Sequence, residues 1–273
     1  MSEMIDDLNK QALDNLMFEN RIFPVPENFK KNANVKDNAL FKEAASDRLK
    51  YWENWAKKLD WSKPWEKTLE WHSPFSRWFI GGKINASYNC LDRHIKNGLG
   101  KKTAIFWEGE NDDVRHISYR EAYDEVNKLA NVLKKLGIKK GDRVAIYMPM
   151  IPEAAYAMLA CSRIGAPHSV VFGGFSAESL SERINDAQCK LLITADGGYR
   201  RGSAVDLKAM ADKALETCPT IQHVIVAQRT KNPVQMKKGR DQWYHDLMKI
   251  ADAYCKPEEM DSEDLLFILY TSG

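Results

Sequence analysis

A chain of 273 residues is long enough to bury a sizeable core, in one large domain or two smaller ones. Hydrophobic content of 44% and charged content of 29% fit a soluble globular enzyme. The 40 Lys and Arg residues are balanced by 38 Asp and Glu, so the net charge of +2 argues against a nucleic-acid or acidic-membrane partner.

The opening stretch MSEMIDDLNKQALDNLMFEN has no apolar core, so no secretory signal is expected. No stretch approaches the roughly 20 apolar residues that cross a bilayer. Cys90, Cys161, Cys189, Cys218 and Cys255 are odd in number and form no C-x-x-C pair, which predicts reduced thiols of a cytoplasmic protein. Six of the eight tryptophans (Trp52, Trp55, Trp61, Trp65, Trp71 and Trp78) precede residue 95. The stretch KEAASDRLKYWENWAKKLDW predicts one amphipathic helix, with Leu49, Trp52, Trp55, Ala56 and Leu59 on one face. These large rings are expected to clamp the segment onto a larger body. A sugar-binding or base-stacking platform is the alternative.

From about Lys101 strand and helix signals alternate. TAIFWEG predicts a strand. SYREAYDEVNKLANVLKKLG predicts a helix opened by a Ser118/Glu121 capping box and stopped at Gly137. KKGDRVAIYMP reads as a turn and a buried strand, and IPEAAYAMLACSRIG as a helix with Pro152 in its first turn. HSVVF, KLLITAD and HVIVA are further strands, and FSAESLSERINDA and DLKAMADKALETC further helices. DQWYHDLMKIADAY predicts a helix and DLLFILYTSG the last strand. NGLGKK and RTKNPVQMKKGRDQ are short linkers. The fold class is α/β: βαβ units around a mostly parallel sheet covered on both faces.

Four stretches carry chemistry. In WFIGGKINASYNCLDRH, Asp92, Arg93 and His94 are the residue types of acid–base work, but adjacent side chains converge poorly on one atom, which favours a structural hydrogen-bonding segment. Gly173-Gly174 follows a strand and precedes a helix, where such sheets present backbone to ligands; a tight turn needing φ > 0 fits as well. In TADGGYRRGS, Arg200 and Arg201 suit a phosphorylated ligand, because guanidinium holds phosphate bidentately; a solvated basic loop is the plainer reading. Tyr270-Thr271-Ser272-Gly273 supplies the first half of a small-residue, anion-holding loop. No G-x-x-x-x-G-K-[ST], G-x-G-x-x-G, G-x-S-x-G or H-E-x-x-H is present.

Taken together these stretches resemble the N-terminal portion of the AMP-forming acetyl-CoA synthetases, in the adenylate-forming (acyl-CoA synthetase-like, ANL) superfamily. WFIGGKINASYNCLDRH, the run from SYREAY to LLITAD, and LLFILYTSG carry the resemblance, from about Asp47 to Gly273. It implies residues 1–95 as a Trp-rich N-terminal segment and 96–273 as the first part of an AMP-binding domain, ending inside the phosphate loop. It implies ATP, Mg2+ and coenzyme A as cosubstrates and acetate as the acid, with no nucleic acid and no membrane. Thr271, Ser272 and Gly273 match the start of the ATP phosphate loop. Arg200, Arg201, Gly202 and Ser203 match the segment that meets the nucleotide end of coenzyme A, although Ser203 stands where relatives carry a basic residue. No catalytic residue is expected within 1–273, so this stretch by itself is expected to be inactive, and the exposed edge of a partial sheet is expected to make it unstable or prone to self-association. The alternatives are a non-catalytic coenzyme A- or nucleotide-binding module, and a ligase preferring propionate or another short acid.

Overall fold

The computed structural model describes residues 22–271; the readings at Ser272 and Gly273 lie outside them. The described residues divide into two compact units, the first ending at Trp52 and the second starting at Glu53. In the first, helices α1 (Glu27–Asn32) and α2 (Ala39–Ser46) precede α3 (Arg48–Ala56), which runs across the boundary. The single helix predicted over this stretch is therefore two. The break is Asp47, extended at φ −150°, whose carboxylate accepts from the Lys50 N–H at 2.9 Å and so caps α3. Of the expected apolar face only Ala56 is buried; Leu49, Trp52, Trp55 and Leu59 are exposed. Trp71 is exposed as well. Trp61 and Trp65 pack instead with Phe79, with ring centroids 4.9 to 5.6 Å apart.

The second unit continues with β1 (Lys67–His72), β2 (Phe75–Ile80), β3 (Lys83–Ile84), a π-helical turn Tyr88–Asp92 and α4 (Arg93–Lys96). Next come β4 (Thr103–Glu108), β5 (Val114–Ser118), α5 (Tyr119–Lys135), β6 (Val144–Met148), α6 (Pro152–Ile164), β7 (His168–Phe172) and α7 (Ala177–Ala187). The rest is β8 (Leu191–Ala195), β9 (Gly198–Arg200), β10 (Ser203–Val205), α8 (Leu207–Leu215), β11 (His223–Ala227), β12 (Asp241–Trp243), α9 (Tyr244–Lys249), β13 (Met260–Asp261) and β14 (Phe267–Ile268).

Six strands form one parallel sheet in the order β12-β11-β8-β6-β7-β14. Its central strands β6 and β8 are buried along their whole length, as continuous Val/Ile/Leu runs require when helices cover both faces. Helix α5 packs on α6 and α9, and α7 on α8. The capping box of α5 forms as expected: the Glu121 N–H donates to Ser118 Oγ and the Ser118 N–H to the Glu121 carboxylate.

Two late elements differ from expectation. The helix predicted from Asp241 starts only at Tyr244, because Asp241–Trp243 pairs with β11 as an edge strand. Asp241 is fixed there by Lys208 at 2.9 Å, Arg240 at 2.5 Å and the Lys237 N–H at 2.9 Å. The last strand shortens to Phe267–Ile268, paired with His168 and Ser169.

The segment around Asp92 is structural. Arg163, at the end of α6, is wholly buried and donates to both Asp92 oxygens at 2.7 and 2.9 Å and to the Cys255 carbonyl at 2.6 Å. Asn85 Nδ2 donates to the carbonyls of Ser162, Arg163 and Glu258, and Asn89 braces the backbone of Asp60 from both sides. These amides hold the glycine-rich segment against the foot of the sheet.

Candidate functional site

A cavity of about 710 Å³ opens at the carboxyl ends of the central strands, within the usual size of small-molecule sites. Tyr147 and Met148 end β6, and Phe172 ends β7; Gly173 to Phe175 form the turn after it, and β9 supplies Tyr199 and Arg200. Trp107 comes from β4 and Arg229 from the segment after β11. This is where an open α/β sheet receives its ligand, since every strand points its loop to one side.

The glycine turn is shaped by contact. Neither Gly173 nor Gly174 has positive φ. A Cβ on Gly174 would stand 2.6 Å from Arg200 Nη1 and from the Phe172 ring. Glycine is thus needed here for close approach between backbone, ring and guanidinium, and the alternative of a φ > 0 turn falls away. The buried Tyr147 hydroxyl fixes this turn by donating to the Phe175 carbonyl at 2.9 Å. Burial raises the Tyr147 hydroxyl above its ordinary value, so it remains a donor.

TADGGYRRGS is a hairpin. Strands β9 and β10 pair Arg200 with Ser203, leaving Arg201 and Gly202 as a two-residue turn at φ 52° and 74°. Positive φ at both central residues is the type I′ signature, which glycine accepts freely and arginine does not. Arg200 lines the cavity, its guanidinium 5.6 Å from the Phe172 centroid. Arg201, Gly202 and Ser203 stay exposed at the tip, where the Arg201 N–H donates to Glu110 at 2.5 Å. Thr271 is exposed and does not line the cavity.

Asp196 is wholly buried although it sits in the same motif. Its carboxylate accepts the N–H groups of Gly197, Arg229, Thr230 and Lys231 at 2.7 to 3.0 Å, tying the β8 and β11 ends together. It has no capacity left for a ligand.

The third wall is not evident from the sequence. Arg229, inside the stretch read as a linker, pairs bidentately with Asp113 at 2.5 and 3.0 Å. Its guanidinium lies 5.1 Å from both the Trp107 and the Tyr199 centroids. Asp113, foremost through that hydrogen bond, lifts the Arg229 pKa further, so it is charged at any physiological pH. Trp107 Nε1 donates to the Met150 carbonyl at 2.7 Å, which sets the indole at the rim. The pattern of an aromatic at one strand end and an arginine after another was readable, but the pairing of Arg229 with Asp113 across 116 residues was not. Among the described residues no group of three His, Cys, Asp or Glu could hold a metal ion, and no helix is long and apolar enough to cross a membrane.

The family of AMP-binding enzymes matches residues 91–273, and the acetyl-coenzyme A synthetase N-terminus matches 38–90. The acetyl-coenzyme A synthetase of Gemmatimonas aurantiaca is 54% identical over 96% of this chain and 41% of its own length. That of Rubrobacter xylanophilus is 55% identical over 93% of this chain and 39% of its own length. Acetyl-coenzyme A synthetase 2 of Pseudomonas aeruginosa is 49% identical over 94% and 41%. The chain thus spans about two-fifths of the length of the curated relatives it matches. The solved acetoacetyl-CoA synthetase from Streptomyces lividans shares the fold, with a TM-score of 0.79, 24% identity, and coverage of 88% of this chain and 37% of that one.

Proposed function

The chain belongs to the family of AMP-binding enzymes and carries the acetyl-coenzyme A synthetase N-terminal segment ahead of that match; from that premise we propose that the whole protein is an acetate–CoA ligase. The observation that carries the proposal is about half identity, across nearly the whole chain, to relatives named acetyl-coenzyme A synthetase. In the first step an acetate oxygen attacks the α-phosphorus of ATP, forming acetyl-adenylate and expelling pyrophosphate. In the second the coenzyme A thiol, giving up its proton, attacks the acyl carbon and expels AMP. Magnesium enters as part of the ATP substrate, bound to its phosphate oxygens.

The strand-end cavity is the proposed seat of the nucleotide end of coenzyme A. Phe172, Tyr199 and Trp107 offer flat apolar walls to a base. Arg200 has no hydrogen-bond or ion-pair partner among the described residues, so it is available to a phosphate. Arg201 and Gly202 form the turn that presents it, and Ser203 pairs with it across the hairpin. Thr271, Ser272 and Gly273 are the proposed start of the ATP phosphate loop. The proposed compartment is the cytoplasm, supported by five cysteines with no disulfide among them.

The test is acetate-dependent ATP–pyrophosphate exchange by the full-length protein, followed by AMP release on adding coenzyme A. Exchange with acetate and AMP release only with coenzyme A are expected. A folded protein that does neither overturns the proposal, and faster exchange with propionate moves the substrate to the longer acid. Residues 1–273 assayed by themselves are expected to do neither step.

A further inference from the structure

Two walls of the strand-end cavity are built from the same three parts. On one, Phe172, Arg200 and Gly174 meet: a Cβ on Gly174 would stand 2.6 Å from both the ring and Arg200 Nη1. On the other, Trp107, Arg229 and Gly109 meet: a Cβ on Gly109 would stand 2.7 Å from the indole and 2.8 Å from Arg229 Nη2. In each wall a guanidinium lies against a ring, and only glycine leaves it room. The walls differ in charge. Arg200 has no hydrogen-bond or ion-pair partner among the described residues. Arg229 is neutralised by the Asp113 carboxylate, and its backbone is fixed by Asp196, which accepts its N–H at 2.7 Å. The Arg229 guanidinium also reaches Tyr199, so one fixed cation joins rings carried by β4 and β9. Glu108 and Glu110, next to this wall in sequence, line the cavity too and add negative charge on this side.

Resting on the coenzyme A reading and deepening it, we propose that the cavity is polarised: phosphate lies at the Arg200 wall and the purine base lies flat against Trp107 and Tyr199, with Arg229 as the positioning residue that holds these two rings in place. A purine is neutral at pH 7 and gains from stacking on aromatic rings and guanidinium planes, so a charge-compensated wall suits it. A phosphate gains most from a guanidinium with no counter-charge, and Glu108 and Glu110 repel it from the other side.

The test compares three thiols as acyl acceptors of the full-length protein, read as AMP release: coenzyme A, its 3′-dephospho form, and 4′-phosphopantetheine, which keeps the thiol and a phosphate but has no base. Arg229→Gln is expected to raise KM for the first two about tenfold, the scale of one lost base stack, and to leave KM for 4′-phosphopantetheine within about twofold. Arg229→Lys, a point charge without a plane, should recover little. Tyr199→Ala removes one ring and should show the same selective loss, which decides the matter if Arg229→Gln fails to fold. Arg200→Ala is the contrast: it should raise KM for all three, since each carries a phosphate. An equal rise for all three thiols in Arg229→Gln and Tyr199→Ala, or no rise in either variant, overturns the inference. So does a rise confined to coenzyme A itself, which would put the 3′-phosphate at this wall in place of the base. Wild-type protein without acetate-dependent exchange overturns the ligase reading instead, and direct binding of the same three thiols, which needs no turnover, still decides this one.

Discussion

Around the start of β7, the Arg163 guanidinium is buried among two carboxylate oxygens and a carbonyl. At the other end of the same strand, the Arg200 guanidinium stands at a cavity wall against the Phe172 ring. The two groups have the same chemistry and opposite uses. Taking a guanidinium out of water is tolerated only when acceptors surround it, and a group so surrounded has nothing left for a ligand. One left at a cavity edge keeps its donors for an incoming anion. Asp196 shows that position in a motif does not decide the matter: it lies in the same loop as Arg200, yet four backbone N–H groups occupy it. The foot of the sheet holds the fold, and the head is the proposed seat of the ligand.

The largest effect that breaks this contrast is expected at the foot. Arg163→Met leaves the Asp92 carboxylate buried and unpaired, costing about 3–5 kcal/mol by urea denaturation of the full-length protein. Asp92→Leu with Arg163→Met removes both charges and regains most of that loss. A cost below about 1 kcal/mol for the single change would mean that the pair is not the brace it looks like.

Next comes pH. His168 begins β7, is buried, and faces the Phe267 ring at 5.9 Å. Burial lowers its pKa to about 4, so the folded state keeps it neutral. The unfolded chain takes up its proton near pH 6.5 and the folded chain only near 4, so stability is full above 6.5 and falls as pH drops through that window. The loss is about 3 kcal/mol at the acid end. His168→Leu should flatten that limb while leaving the pH dependence of coenzyme A binding as it was; an unaltered limb assigns the acid sensitivity elsewhere.

At the head the expected effect is on binding. Arg200→Ala should raise KM for coenzyme A about tenfold, the scale of one charge-assisted hydrogen bond, without lowering the melting temperature. A variant that melts early with an unchanged KM would move Arg200 from the ligand side of the contrast to the structural side.

What the sequence disclosed follows the same division. The parallel sheet was legible because β6, β7, β8 and β11 are apolar runs between amphipathic helices. Two breaks were not: Asp47 ends one helix and caps the next, and Asp241-Gln242-Trp243 is too short and polar to read as a strand until Lys208 and Arg240 hold it. At the site, Arg200 and the Gly173-Gly174 turn were legible from residue type and place after a strand. Arg229 reads as linker because its partners Asp113, Trp107 and Tyr199 come together only in the fold.

Arg201 gives the smallest and most discriminating expectation. The family resemblance pairs it with Arg200 as a second cation, in place of the basic residue implied where Ser203 stands. The hairpin uses it differently. At φ 52° it is the first central residue of a two-residue turn, beside Gly202 at φ 74°. Asparagine accepts positive φ more readily than arginine and removes the charge. Arg201→Asn should therefore stabilise the hairpin by a few tenths of a kcal/mol and change KM for coenzyme A less than about twofold. A tenfold rise would show that the guanidinium reaches the ligand despite its exposed place at the tip. Measuring KM for coenzyme A and for its 3′-dephospho form separates the two cases. A lost phosphate contact weakens the first alone, whereas a disturbed turn moves Arg200 and weakens both.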